Sequence, residues 1–170
     1  KNDLNFWNGT AQLDISQGYG AHGVPEGIEN IMGKYVGKYE GVNVYEAKGM
    51  GGAGVTLPGR GIVVGKGSFS MNLRPALLQH EFGHILQARE YGLRAFYKVI
   101  GPQSLGSASL NGIYGHDHSY FWTETWANYL SKNHFGKNYL SRPYFPIKKL
   151  SLYHRIELLT ARYNPVGWPF

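Results

Sequence analysis

Apolar and polar positions along the chain change their period twice. Between residues 34 and 69, "KYVGKYEGVNVYEA" alternates polar residues with Val and Tyr, and turn material sits at Glu40-Gly41. A period of two predicts strands with one buried face, and the turn predicts a hairpin. "GVTLPGRGIVVGKGSF" offers one or two further strands, interrupted at Pro58-Gly59. Ahead of them, residues 1–33 are broken by Gly, Asn and Pro25 and read as an irregular lead-in with one short helix over residues 26–32.

From Asn72 onward the period lengthens to that of a helix. Asn72 reads as an N-cap, Pro75 falls in the first turn where its missing N–H costs little, and Gly92 reads as a left-handed stop, which predicts a helix over residues 72–92. Leu78, Phe82, Ile85 and Leu86 spread around it, so nearly every side is expected to be buried. A second helix is predicted over residues 119–133, capped by Asp117 or Ser119 and ending near Gly136. No repeat or low-complexity linker interrupts these zones. The expectation is one compact α+β domain over residues 1–170, a small twisted sheet with helices.

Composition narrows the chemistry. With 170 residues, 42% of them hydrophobic and 16% charged, the chain can bury a sizeable core. It has no cysteine, which excludes a disulfide framework and thiolate metal sites and leaves His, Asp and Glu as strong ligands. The net charge of +6 comes from 17 scattered basic residues, a basic surface rather than a nucleic-acid patch, so a nucleic-acid partner is not expected. No run of 18 apolar residues exists, so no membrane span is expected. The chain starts without an initiator Met or a signal-like segment and reads as a domain cut from something longer, or as a processed product.

Within the first long helix, "ALLQHEFGHILQARE" places His80 and His84 one turn apart, with Glu81 beside them. Two imidazoles and a carboxylate in a buried helix need something to offset their desolvation, and a divalent cation does so. Histidines at i and i+4 both reach one zinc ion at about 2.0–2.1 Å, while the intervening Glu81 stands just beyond bonding range, where it can take a proton from water. Gly83 suggests that another backbone or side chain comes close at mid-helix. A catalytic zinc normally takes three protein ligands. The place six residues after His84 holds Glu90, on an unbroken helix, so the third ligand is sought elsewhere. "ETWAN" in the second helix offers Glu124 as that ligand and Asn128, one turn on, as a hydrogen-bond partner for a ligand imidazole, with small Ala127 allowing close packing. His116 and His118 are the rival ligands. Amide hydrolysis also needs a donor for the developing oxyanion. His118 is favoured for it, with His116, Tyr120 and Tyr114 as alternatives. "GIVVGKGSF" is either an exposed strand that pairs with an extended substrate or a simply buried one. His22, His134 and His154 read as structural, and the aromatic tail from Arg162 to Phe170 as packing back on the domain.

"HEFGH" followed by "ETWAN" resembles the gluzincin branch of the zincin metallopeptidases. The resemblance implies a compact zincin-like domain in which Glu124, Ala127 and Asn128 fall on the third-ligand helix. The 40 residues from His84 to Glu124 (124 − 84) exceed the spacing of the shortest members. Over residues 39–132 the chain is also similar to metallopeptidase-like domains at the C-termini of bacterial Rhs-type polymorphic toxins. That implies a secreted or delivered effector, a peptide or protein substrate, and a cognate immunity protein. The expectation is therefore a zinc metalloendopeptidase with His80, His84 and Glu124 on Zn2+ and Glu81 as base. The competing expectation is a binding or effector module that keeps zinc as a structural clamp.

Overall fold

The computed structural model describes residues 32–115, 117–142 and 145–163. The chain is α+β and divides into two compact units at the Arg74/Pro75 junction. Residues 26–31 of the expected short helix, and His22, His116 and residues 164–170 of the aromatic tail, lie outside the described residues.

The first unit carries a four-stranded mixed sheet in the order β1-β2-β4-β3, with β1 Lys34–Tyr39, β2 Val42–Ala47, β3 Gly54–Leu57 and β4 Gly61–Gly65. β1 and β2 form the antiparallel hairpin expected around Glu40-Gly41. Both turn residues have positive φ, 50° and 78°, the backbone that matches the right-handed twist of a two-residue hairpin. β3 returns antiparallel along β4 through the turn at Pro58-Gly59, closed by the Arg60 N–H donating to the Leu57 carbonyl at 2.9 Å. β4 then runs parallel to β2. All five residues of β4 are buried, as a strand flanked on both sides reads. "GIVVG" is thus an interior strand rather than an exposed one that could accept an added strand: its backbone is paired by β2 and β3, and among the described residues the sheet edges are β1 and β3. Met32, Tyr45 and Val63 form a buried cluster, with Tyr35, Ala47, Met50, Val55 and Leu57 packed against it. At the end of β2, the Glu46 carboxylate accepts from the N–H groups of Phe69 and Ser70 at 3.0 and 2.9 Å and from the Ser70 hydroxyl. One side chain thereby shapes the turn after β4.

The second unit is helical. α1, Pro75–Ala95, carries the His80/His84 motif. It starts three residues later than the sequence suggests. Asn72 has a φ of 51°, where a capping residue is extended, so Pro75 opens the helix without it. Gly92 does break the regular helix, with φ 88° and ψ 159°, after which the chain resumes helical turns to Ala95 and a π-turn at Phe96–Ile100. α2, Gly101–Tyr114, lies within the long segment between the two motifs. The helix expected to carry the third ligand, α3, spans Trp122–Phe135, later than 119–133, because Phe121 is extended. Asp117 caps a separate short 3-10 turn, His118–Tyr120, by accepting from the Ser119 N–H and hydroxyl. α4, Leu152–Tyr163, completes the unit. Its core gathers Ala88, Tyr91, Phe96, Ile100, Trp126 and Leu158. Trp122 ties three helices: its ring stacks on His154 at 4.1 Å and its N–H donates to Gln103 Oε1 at 2.8 Å, while Gln103 in turn donates to Glu157.

α1 is buried nearly all round, including Leu78, Phe82 and Ile85, with Leu86 half-buried. The approach expected at Gly83 is to backbone: a Cβ there would collide with the carbonyl oxygen of Ala127 on α3. Two small residues let the helices carrying the motifs cross at contact.

Candidate metal centre

Because α1 and α3 meet at Gly83 and Ala127, His80 and His84 on one helix face Glu124 on the other. All three are buried. Glu124 Oε2 lies 3.1 Å from His80 Nε2 and 3.2 Å from His84 Nε2, and the three potential ligand atoms all fall within 4.8 Å of one another. A tetrahedral ion with bonds of about 2.0–2.1 Å has ligands about 3.3–3.4 Å apart along each edge. The two measured edges are close to that.

The partners of the other ring nitrogens decide what these atoms present. Asn128 donates its Nδ2 hydrogen to the Pro146 carbonyl at 2.9 Å, which turns its Oδ1 toward His80 Nδ1 at 2.7 Å. Gln87 donates to the Thr123 carbonyl at 2.6 Å and so offers Oε1 to His84 Nδ1 at 2.8 Å. An amide oxygen only accepts, so both Nδ1 atoms carry hydrogen, and each ring, when neutral, turns an Nε2 lone pair toward Glu124. Glu124 is held likewise. Its Oε1 accepts from the hydroxyls of Ser104 at 2.7 Å and Thr123 at 2.8 Å, leaving Oε2 toward the imidazoles. Three acceptors converge on one point, and only a cation satisfies them together. This buried His-His-Glu group can hold a metal ion.

The electrostatics express the same demand. Burial alone would lower the pKa of His84, but the Glu124 charge and hydrogen bond, the Glu81 charge and the Gln87 bond outweigh it and raise it to about 9. Burial would raise Glu124, yet the charge of His84 and the bonds from both imidazoles hold its carboxyl well below the ordinary range. Without a metal, a proton serves as the cation.

Around this group, Phe145 stacks on the His80 ring at 4.8 Å and 4° between planes. Glu81 is buried, and its charge reaches His84. His118 sits apart from the three: its Nε2 is 3.6 Å from Glu124 Oε2, and its Nδ1 lies 3.0 Å from the Ser107 hydroxyl. A hydroxyl both donates and accepts, so, unlike the amides, it permits the tautomer with hydrogen on Nε2, and an Nε2–H facing a carboxylate oxygen favours that form. Tyr120 is exposed beside it. His134 packs on Phe82 and Phe135, and His154 on Trp122.

Sequence reasoning passed over Gln87, Thr123, Ser104, Ser107 and Phe145. Gln87 had a signal, three residues beyond His84 on the same helix face. Thr123 adjoins Glu124. Ser104 and Ser107 are one turn apart on α2, and no local pattern marks which distant groups they serve. No protein-family model, no curated protein and no solved structure matches the chain.

Proposed function

We propose that the chain is a zinc-dependent peptide-bond hydrolase. The observation that carries this reading is the pair of imidazoles held by their Nδ1 partners with both Nε2 atoms toward one carboxylate oxygen, with Glu81 next to His80 on the same buried helix. A set of two imidazoles and one carboxylate suits zinc, and three protein ligands leave a position open. When bound, zinc supplies Lewis acidity toward a substrate carbonyl and lowers the pKa of water.

The chain's own residues do the rest. His80, His84 and Glu124 Oε2 hold the ion, while Asn128 and Gln87 keep the two rings in the ligating tautomer. Ser104 and Thr123 hold Glu124 Oε1, which leaves its partner oxygen as the ligand. Glu81 takes the proton of the attacking water on its carboxylate and passes it to the leaving amine. His118, with hydrogen on Nε2 and its Nδ1 at Ser107, donates to the carbonyl oxygen as charge builds there.

A metal clamp without turnover is the competing reading. The hydrogen bonds by which Glu124 Oε2 already meets both His80 and His84 favour it. Metal analysis and a peptide-library digestion read by mass spectrometry separate the two. The peptidase reading expects about one zinc per chain, cleavage reversed by chelator, and a Glu81→Gln form that keeps metal and fold but loses at least about 10²- to 10⁴-fold in rate. Equal cleavage by Glu81→Gln removes Glu81 from its role, and a metal-free folded protein in zinc buffer removes the centre. The resemblance to Rhs-type toxin domains extends the proposal to a delivered effector with a cognate immunity protein. Expression in bacterial cells tests it: wild type should arrest growth and Glu81→Gln should not.

A further inference from the structure

A groove of about 560 Å³ lies between α2 and the segment that precedes α3. Ser107, which holds the His118 ring, is part of its wall, so the groove begins where the proposed oxyanion donor is anchored. Leu110, Tyr120 and Phe121 give it an apolar lining, and Leu110 and Tyr120 are about half exposed. Its volume falls within the range of ligand pockets. Among the described residues Asp117 is the one charged group of the lining.

The groove also contains a residue that the fold does not explain. Gly106 lies inside α2, and glycine is the poorest helix former after proline. At Gly83 a side chain would strike Ala127, so packing demands glycine there. At Gly106 nothing lies within 4 Å of where a Cβ would stand, and its φ lies outside the left-handed range. Neither packing nor backbone requires it. What its absent side chain leaves is room in the groove wall, one turn from Leu110 and adjacent to Ser107.

We infer that this groove is the subsite that receives a large apolar side chain of the peptide substrate beside the bond to be cut, and that Gly106 sets how large that side chain is. The inference rests on the peptidase reading for its chemistry, but the groove and its filling are testable without turnover. An acidic side chain is disfavoured, because it would meet Asp117 among the described lining residues.

The test uses the full chain loaded with zinc and its Gly106→Ala and Gly106→Leu forms. Thermal unfolding and zinc content establish that each variant is folded, and open space at the Cβ predicts that they are. A mixed peptide library is digested and the cut sites are read by mass spectrometry. In parallel, the same library is passed over immobilised Glu81→Gln protein, with and without Gly106→Leu, and retained peptides are sequenced. Wild type should favour Phe, Tyr, Leu or Met at one fixed position from the cut. Gly106→Leu should shift the ratio of large to small residues there by about tenfold or more, with Gly106→Ala between. Cleavage with no apolar preference, or with a preference that Gly106→Leu leaves unchanged, overturns the groove assignment and leaves the peptidase reading standing. Absence of cleavage in every form refutes the peptidase reading. The groove is then judged by retention, and retention without apolar enrichment, or indifferent to Gly106→Leu, overturns it as well.

Discussion

An amide side chain fixes an imidazole's tautomer only when the amide is itself fixed. Asn128 and Gln87 meet that condition through the carbonyls of Pro146 and Thr123. Asn128→Ala or Gln87→Ala should therefore weaken zinc binding about 10- to 100-fold without removing it, whereas Glu124→Ala should abolish it. Competition against a chromophoric chelator measures all three, and unchanged affinity in both amide variants would show that the rings are oriented by something else. Glu46 makes a separate prediction, in the sheet unit. Burial would raise its pKa, but N–H groups of Gly67, Ser70 and Phe69 and the Ser70 hydroxyl outweigh this and hold it below 4.5. A folded value below the unfolded one means that the carboxylate stabilises the fold above about pH 4.5 and loses that contribution as pH falls through the depressed value. The stability gap between wild type and Glu46→Gln should be widest near neutrality and close at acid pH. A gap independent of pH in urea titrations would refute the assignment.

At the scale of elements, the crossing of α1 and α3 sets the site. Gly83→Ala gains about 1 kcal/mol of helix propensity but drives a methyl group into the Ala127 carbonyl, and overpacking of this kind costs about 1–3 kcal/mol or more when backbone must move. The expected result is a net loss of stability together with weaker zinc binding, because the same shift parts Glu124 from the histidines. Urea midpoints and zinc titration of the variant check it, and a stabilised variant with full affinity would disprove the close approach. The sequence made this crossing legible, since glycine inside a buried helix and alanine beside a candidate ligand both signal proximity. The hairpin, the long helix and the His80/His84 pair were legible because each depends on local spacing, while Glu124 stood out by the pattern of its own helix. Strand order was not. β4 became the interior strand through pairing with β2, a choice made between distant segments that its run of apolar residues fits but does not dictate. The Asn72 cap failed because residue type indicates what can cap, while the actual φ depends on the preceding turn. Ser104 and Ser107 were invisible because their partners Glu124 and His118 lie 20 and 11 residues away.

For the whole molecule, metal binding and stability are linked. An ion that binds the folded chain and not the unfolded one adds about 4 kcal/mol at a thousand times its Kd. Chelation should then lower the unfolding temperature of the unit that begins at Pro75, and added zinc should restore it. No helix among the described residues is long and apolar enough to cross a membrane. Calorimetry with and without chelator decides, and coincident transitions would show that no ion is held at the centre. Trp122 offers a second way to watch the same molecule. Its indole stacks on one imidazole and donates to Gln103, whose side chain forms part of the groove wall. A guest that enters the groove and disturbs this hydrogen bond should change the emission of Trp122, one of four tryptophans in the chain, so that replacing the other three would make the protein its own optical reporter.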